Sequence, residues 1–283
     1  MPDGGRTIAR RGEFTMARGV VCAVVMQKGG VGKTTCTICL ARAAAVYHGA
    51  RVLVVDLDPQ GNTTSALARE RVARDQLTVA DAILPNADVT LDEVIVASVW
   101  RGVDLAPGGR GLAAAERRIV AADHGREQRL REVLAPVRAR YDLVLVDNGP
   151  SLGLLMVNAL AAADVALMVV EATQWSADGL GLLRGTLDGV IRYENPLLRV
   201  AGALVNRWRG TAAEVELAAE IASGMATHFP GVPVWLSRRV PLWQAIPDHV
   251  LAGKGLDEGP ARLRILAEDV FGPIAGELLA VRT

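Results

Sequence analysis

Residues 28–35 read Lys-Gly-Gly-Val-Gly-Lys-Thr-Thr, between an apolar run at 20–26 and an amphipathic stretch at 34–47. A strand, a glycine-rich loop and a helix in that order make a P-loop, which dictates much of what must surround it. Its N–H groups turn inward around an anion, and the positive end of the following helix faces the same point. The octet predicts a cradle for nucleotide phosphates at Gly29, Gly30, Val31 and Gly32. It sets Lys33 along the β- and γ-phosphates and the Thr34 hydroxyl on Mg²⁺. The usual spacing, Gly-x-x-x-x-Gly-Lys-Ser/Thr, is met only loosely, because Gln27 stands where its first glycine belongs. Lys28 is a second lysine, for which a simple P-loop has no role.

The remaining chain continues the pattern that such a loop requires. Apolar strand candidates recur at 51–56, 103–106, 143–147, 165–170, 200–206 and 233–236. Helical spacing occupies 176–193 and 211–228, and a last helix at 260–281 carries Leu263, Leu266, Val270, Ile274 and Leu278 on one face. Continuous apolar strands alternating with helices predict an α/β fold, a mostly parallel twisted sheet with helices on both faces. No repeat or low-complexity linker divides the chain, so one domain is expected over 19–283. Residues 1–18 contain Arg6, Arg10, Arg11 and Arg18 without an apolar core. They read as a flexible arm and not as a secretory signal, with Met16 as an alternative start. The apolar stretch 152–170 is interrupted by Asn158 and Asp164, which argues for helix, turn and buried strand rather than a membrane span.

Hydrophobic residues make up 51% of the chain and aromatics only 4%, so the core must be aliphatic and rich in alanine. A formal net charge of zero excludes a uniformly basic nucleic-acid binder, though not a local basic patch. Lysine occurs only at 28, 33 and 254, so two of the three sit in one loop. The eight arginines and four acids within 110–140 read most simply as solvated helix faces. Cys22, Cys36 and Cys39 cluster near the P-loop, an odd count that implies no disulfide framework and fits a reducing cytosol. Cys36-x-x-Cys39 has a redox or metal spacing but no second Cys/His pair, so the thiols are read first as core packing.

Two acidic motifs complete the chemistry. The second strand ends in Asp56-Leu57-Asp58-Pro59-Gln60-Gly61-Asn62, where carboxylates two residues apart leave the strand on one side. At the C-terminal edge of a parallel sheet they face the ligand crevice, where one can orient water for attack on a γ-phosphate. The run 141–146 ends in Asp147, a Walker B reading in which the carboxylate holds Mg²⁺.

These stretches resemble the ParA/Soj partition ATPases of the ParA/MinD superfamily, whose P-loops carry a deviant Walker A motif. The likeness rests on residues 28–35, on Asp56-Leu-Asp-Pro-Gln-Gly-Asn62, and on Asp147-Asn-Gly-Pro-Ser-Leu-Gly153 leading into Asn158-Ala-Leu160. It continues more loosely through Ser176-Ala-Asp-Gly-Leu180 to Arg238-Arg-Val-Pro-Leu242. The resemblance implies an ATPase that uses ATP and Mg²⁺, with weak basal turnover. It implies that Lys28 crosses an ATP-sandwich homodimer to the partner's phosphates, and that Thr35 lies near the α-phosphate. Asp58 matches the carboxylate that positions the hydrolytic water, Asp147 the Walker B position, and Asn206 the adenine contact. It implies nonspecific double-stranded DNA and a ParB-like stimulating protein as partners, and a cytoplasmic, nucleoid-associated location without membrane.

The chain departs from the family in two ways. Gly149 replaces the first of two prolines after the Walker B aspartate, which loosens that switch. The family's lysine-rich DNA surface is absent, so arginine must substitute, with Arg207, Arg209, Arg238 and Arg239 as candidates. The alternatives are a MinD-like positioning ATPase on membrane or protein cargo, and a metabolic or metal-carrier relative. Residues 268–283 set Glu268, Asp269 and Glu277 against Arg282 alone, which disfavours a basic membrane-binding helix. Cys36 and Cys39 lie on the P-loop helix, away from a metal cluster. No helix-turn-helix precedes the P-loop, so no autorepressor is expected.

Overall fold

The computed structural model describes residues 19–73, 75–172 and 177–281; the expected arm, Ser176 and Arg282 lie outside them. One seven-stranded sheet comprises β1 (Val20–Val25), β2 (Val52–Leu57), β3 (Val96–Ala97), β4 (Val103–Ala106), β5 (Leu143–Asn148), β6 (Val165–Glu171) and β7 (Arg199–Asn206). Its order is β3-β4-β2-β5-β1-β6-β7, parallel throughout except for β3 against β4. The early helices are α1 (Lys33–His48), α2 (Asn62–Leu67), α3 (Val79–Ala82), α4 (Leu91–Val94), α5 (Gly111–Val120) and α6 (Arg129–Leu134). They are followed by α7 (Leu154–Ala162), α8 (Ala177–Tyr193), α9 (Ala212–His228), α10 (Ala245–Leu251), α11 (Ala261–Leu266) and α12 (Gly272–Leu279).

Every residue of β1, β2, β5 and β6 is buried. That is why their sequences run apolar without alternation: helices cover both faces of the sheet. From central β1 the early strands extend to one side of the sheet, while β6 and β7 extend to the other. The reversal falls at the end of β1, where a parallel sheet opens its binding crevice.

Two sequence expectations change. Residues 233–236 are not a strand; Val234 makes an isolated bridge to Ala203. Pro233 O accepts from Ala203 N at 2.9 Å and Trp235 N donates to Ala203 O at 3.0 Å. The chain then turns, with Arg238 N on Trp235 O at 3.1 Å. Apolarity here serves the indole of Trp235, which occupies the space that a Cβ on Gly202 would fill.

The single helix expected over 260–281 is broken into α11, a π turn at Ala267–Phe271, and α12. Pro273 has no N–H for the helical ladder, and Gly272 N–H reaches five residues back to Ala267 O. The turn at Leu256–Glu258, just before this segment, is pinned to α1 by Arg42, whose Nε and Nη2 meet Asp257 at 2.9 and 2.7 Å. The same guanidinium lies over the Trp100 ring.

Candidate nucleotide site

The loop leaving β1 turns with Gly30 and Gly32 at φ 78° and 89°, and α1 begins at Lys33. Gly32 has a second constraint beside its left-handed backbone. A Cβ there would collide with Nδ2 of Asn206, the last residue of β7. That amide donates to Val31 O at 2.7 Å. Lys33 is buried and its Nζ donates back across the loop to Lys28 O at 3.4 Å. Lys28 itself stands exposed on the loop's rim. Burial lowers the Lys33 pKa, opposed by the nearby Asp147 and Asp58 carboxylates.

Asp147 lies on β5 directly beside Val24 of β1 and Asp56 of β2. Its Oδ2 accepts from Thr34 Oγ1 at 2.8 Å and from Thr63 Oγ1 at 2.6 Å. Its Oδ1 accepts from Thr37 Oγ1 at 3.3 Å. Burial raises its pKa, and the hydroxyls of Thr63 and Thr34 oppose the rise. A carboxylate and a threonine hydroxyl in contact are the hard oxygen donors that suit Mg²⁺. The residues present therefore fit the ion expected from the sequence.

The two aspartates of the second motif separate in role. Asp56 is fully buried and accepts from Thr64 N at 2.8 Å, Thr64 Oγ1 at 2.6 Å and Asp58 N at 3.1 Å. Its pKa is pushed up to about 7 by burial and then by the Asp147 charge. It shapes the turn and the start of α2 and does not face a ligand. Asp58 leaves the strand beyond it, with Oδ1 accepting from Gln60 N at 2.9 Å. It lines a cavity of about 190 Å³ shared with Pro59, Gly149, Pro150 and Met156. A Cβ on Gly149 would come within 3.3 Å of Asp58 Oδ1, so the glycine preserves room beside this carboxylate.

The crevice on the other side of the P-loop is a cavity of about 130 Å³, lined by Gly32, Thr35, Asn206, Leu242 and Trp243 among others. The structure thus brings Lys33, Thr34, Thr35, Asp58, Asp147 and Asn206 to one edge of the sheet. Sequence reasoning missed Thr63 and Thr37, the further hydroxyls on Asp147. It also missed Glu116, whose carboxylate accepts from Leu155 N at 3.3 Å at the start of α7. Only contacts between strands and helices distant in sequence single these residues out.

The four candidate DNA arginines do not form one open basic face. Arg207 Nε meets Glu171 at 3.3 Å and its Nη1 donates to Gly30 O at 2.8 Å. Arg209 Nη1 meets the buried Glu214 at 3.2 Å. Arg238 is paired with Glu277. Arg239 stacks its guanidinium 4.3 Å from the Trp208 ring centre.

The cysteines belong to the core. All three are buried, and among the described residues no group of acids, histidines and cysteines could hold a metal ion. Burial pushes the Cys22 thiol up to about 12 and raises Cys36 and Cys39 as well. Native protein at pH 8 should therefore resist iodoacetamide and release three titratable thiols only in denaturant. Labelling followed by intact-mass measurement checks this, and rapid native alkylation of Cys36 or Cys39 would contradict the packing role.

The AAA domain family, AAA_31, matches residues 19–200. An uncharacterized protein of Mycobacterium tuberculosis (strain ATCC 25618 / H37Rv) is 44% identical over 188 residues, 66% of this chain. The aligned part spans only 58% of that relative's length. The sporulation initiation inhibitor protein Soj of Bacillus subtilis is 40% identical over 187 residues, covering 66% of this chain and 72% of Soj. The chromosome partitioning protein ParA of Caulobacter vibrioides is 34% identical over 211 residues, covering 74% of this chain and 76% of ParA. Among solved structures, cobyrinic acid a,c-diamide synthase from Mycobacterium smegmatis with bound ADP and magnesium superposes with a TM-score of 0.71. It is 31% identical, and the match covers 83% of this chain and 91% of that one.

Proposed function

Because the chain belongs to the ParA/Soj family within the AAA domain class, we propose that it is a partition ATPase that hydrolyses Mg–ATP. The observation that carries this reading is the convergence of the P-loop, the Thr34–Asp147 pair and Asp58 at the end of β1. Thr34 and Asp147 hold Mg²⁺, and the loop N–H groups of Gly29 to Gly32 with Lys33 and Thr35 hold the phosphates. Bound Mg²⁺ neutralises charge on the phosphate oxygens. Asp58 would orient the attacking water from the cavity it lines, and Asn206, beside the P-loop, would offer its Oδ1 to adenine.

Two copies pair through ATP, with Lys28 of each reaching the other's phosphates. The exposed position of Lys28 supports this role, since two facing triphosphates repel and a lysine from across the interface offsets the repulsion. The dimer binds duplex DNA without base reading, through arginines on phosphates, and a ParB-like protein stimulates turnover. Arg238 and Arg239 are the proposed DNA contacts, since Arg238 is held by the exposed Glu277 and Arg239 by a ring stack, while Arg207 and Arg209 are engaged by the buried Glu171 and Glu214. The protein acts in the cytoplasm on the nucleoid. No described helix is long and apolar enough to cross a membrane.

DNA co-sedimentation with and without ATP tests the proposal. The ATP-bound protein should bind unrelated duplexes alike, with affinity falling steeply as salt rises. Lys28→Ala should abolish the ATP-dependent dimer in sizing chromatography and lower DNA affinity with it, because pairing doubles the phosphates neutralised together. Arg238→Glu with Arg239→Glu should weaken all duplexes equally and spare ATP binding. Absence of DNA binding at low salt with ATP would instead favour a protein- or membrane-positioning ATPase.

A further inference from the structure

Two consecutive peptide planes of the P-loop are held from outside the loop, by neighbouring side chains at the end of β7. Arg207 Nη1 donates to the carbonyl of Gly30 at 2.8 Å, and Asn206 Nδ2 donates to the carbonyl of Val31 at 2.7 Å. In a trans peptide the N–H points opposite to the carbonyl that precedes it. Fixing the Gly30 and Val31 carbonyls toward β7 therefore turns the N–H groups of Val31 and Gly32 the other way. Neither N–H has an acceptor among the described residues, although Val31 is buried. Backbone donors left over inside a fold mark a place for an acceptor from outside it.

The hold has its own support. Arg207 adopts a left-handed backbone, φ 57°, which an arginine rarely takes without compensation. Its Nε lies 3.3 Å from a carboxylate oxygen of Glu171, which is buried at the end of β6, an ion pair without hydrogen-bond alignment. One guanidinium thus holds a P-loop carbonyl while its charge sits beside a buried acid, a reach that an arginine supplies and a lysine cannot. The loop needs such a hold because Gly30, at φ 78°, can flip its peptide at little cost. A flipped Gly30 carbonyl would present its negative end to an anion and withdraw a donor.

We infer that Arg207, with Asn206 beside it, is a positioning residue that presets the P-loop N–H groups for the nucleotide's diphosphate. This rests on the nucleotide reading above and gives Arg207 a role other than contact with DNA. The arginine does not touch the phosphates. It acts through the Gly30–Val31 peptide and neutralises Glu171 at the rim of the site.

The test compares binding of Mg–ADP and of inorganic pyrophosphate, without DNA, to wild-type protein, Arg207→Ala and Arg207→Lys. Loss of the charge-assisted bond should weaken both ligands by the same factor, about tenfold, for Arg207→Ala. The melting temperature of ligand-free Arg207→Lys, which keeps a charge beside Glu171, should stay close to wild type, which separates a positioning role from a structural one. Arg207→Lys keeps the charge facing Glu171 and serves where the alanine variant does not fold. It too should lose affinity, since one ammonium cannot span both partners. Weakened ADP with unchanged pyrophosphate would place Arg207 on the base and overturn the inference. Unchanged affinity for both ligands, in a wild type that binds Mg–ADP, would overturn it as well. Failure of the wild type to bind Mg–ADP would overturn the nucleotide reading itself.

Discussion

Asp58→Ala should reduce ATP turnover by about 10²–10³-fold while leaving Mg–ATP affinity within about twofold of wild type. The side chain lies beyond the end of β2, beside the cavity bounded by Gly149 and Pro150, close enough to act on Lys33 but without a hydrogen bond to the loop that holds the phosphates. Its removal leaves Thr34, Asp147 and Lys33 in place. The hydrogen bond that is lost inside the protein, from Gln60 N, is to a half-exposed turn. The water is no longer oriented, and the ground state is scarcely touched. Single-turnover hydrolysis and equilibrium binding of a fluorescent ATP analogue separate the two quantities. Wild-type turnover in Asp58→Ala would remove the assignment, and equal losses in binding and turnover would make Asp58 a structural residue. The same variant should trap the ATP-bound dimer on which the Lys28→Ala comparison depends.

Gly32→Ala should abolish measurable nucleotide binding, a loss of at least about 100-fold. Two penalties coincide at this position. A φ of 89° costs an L-residue on the order of 1–3 kcal/mol. The new methyl would also collide with the Asn206 amide, which must then release Val31 O. Relief of either penalty rotates the peptide that carries the loop's N–H groups. Calorimetric titration with Mg–ADP measures the loss, and thermal unfolding reports how much of the strain reaches the whole domain. Retained affinity in Gly32→Ala would mean that this peptide plane does not contact phosphate.

Much of this site is legible in the sequence because its parts are local. Strand, loop and helix around Lys33 are contiguous, and fully buried parallel strands announce themselves as unbroken apolar runs. What depends on lateral register is not legible. Asp56 and Asp58 look equivalent along the chain. The pairing of Asp56 with Asp147 across β2 and β5 buries the first among donors and leaves the second at the cavity. Thr63 reaches Asp147 across 84 residues, and Glu116 reaches the start of α7 across 39. The apolar residues at 233–236 mislead because their hydrophobicity packs one indole and not a ladder. The periodicity of 260–281 survives the π turn and hides it. The arginines at 207 and 209 look like surface charge because the burial of their partners Glu171 and Glu214 is set by the fold and not by the local sequence.

The strand order also governs when a newly made chain can first hold its ligand. The P-loop is translated before its neighbours in the sheet, β5 and β6, and before the residues that end β7 and hold its peptides. Asp147 is translated more than a hundred residues after Thr34, and Arg207 sixty residues after Asp147. Pairing across such separations is slow and comes late in folding. A nascent chain therefore carries the whole signature motif, until β7 is made, without a competent cradle. Nucleotide capture becomes a checkpoint on finished folding, and a truncated product that ends before β7 would display the motif yet withhold the grip.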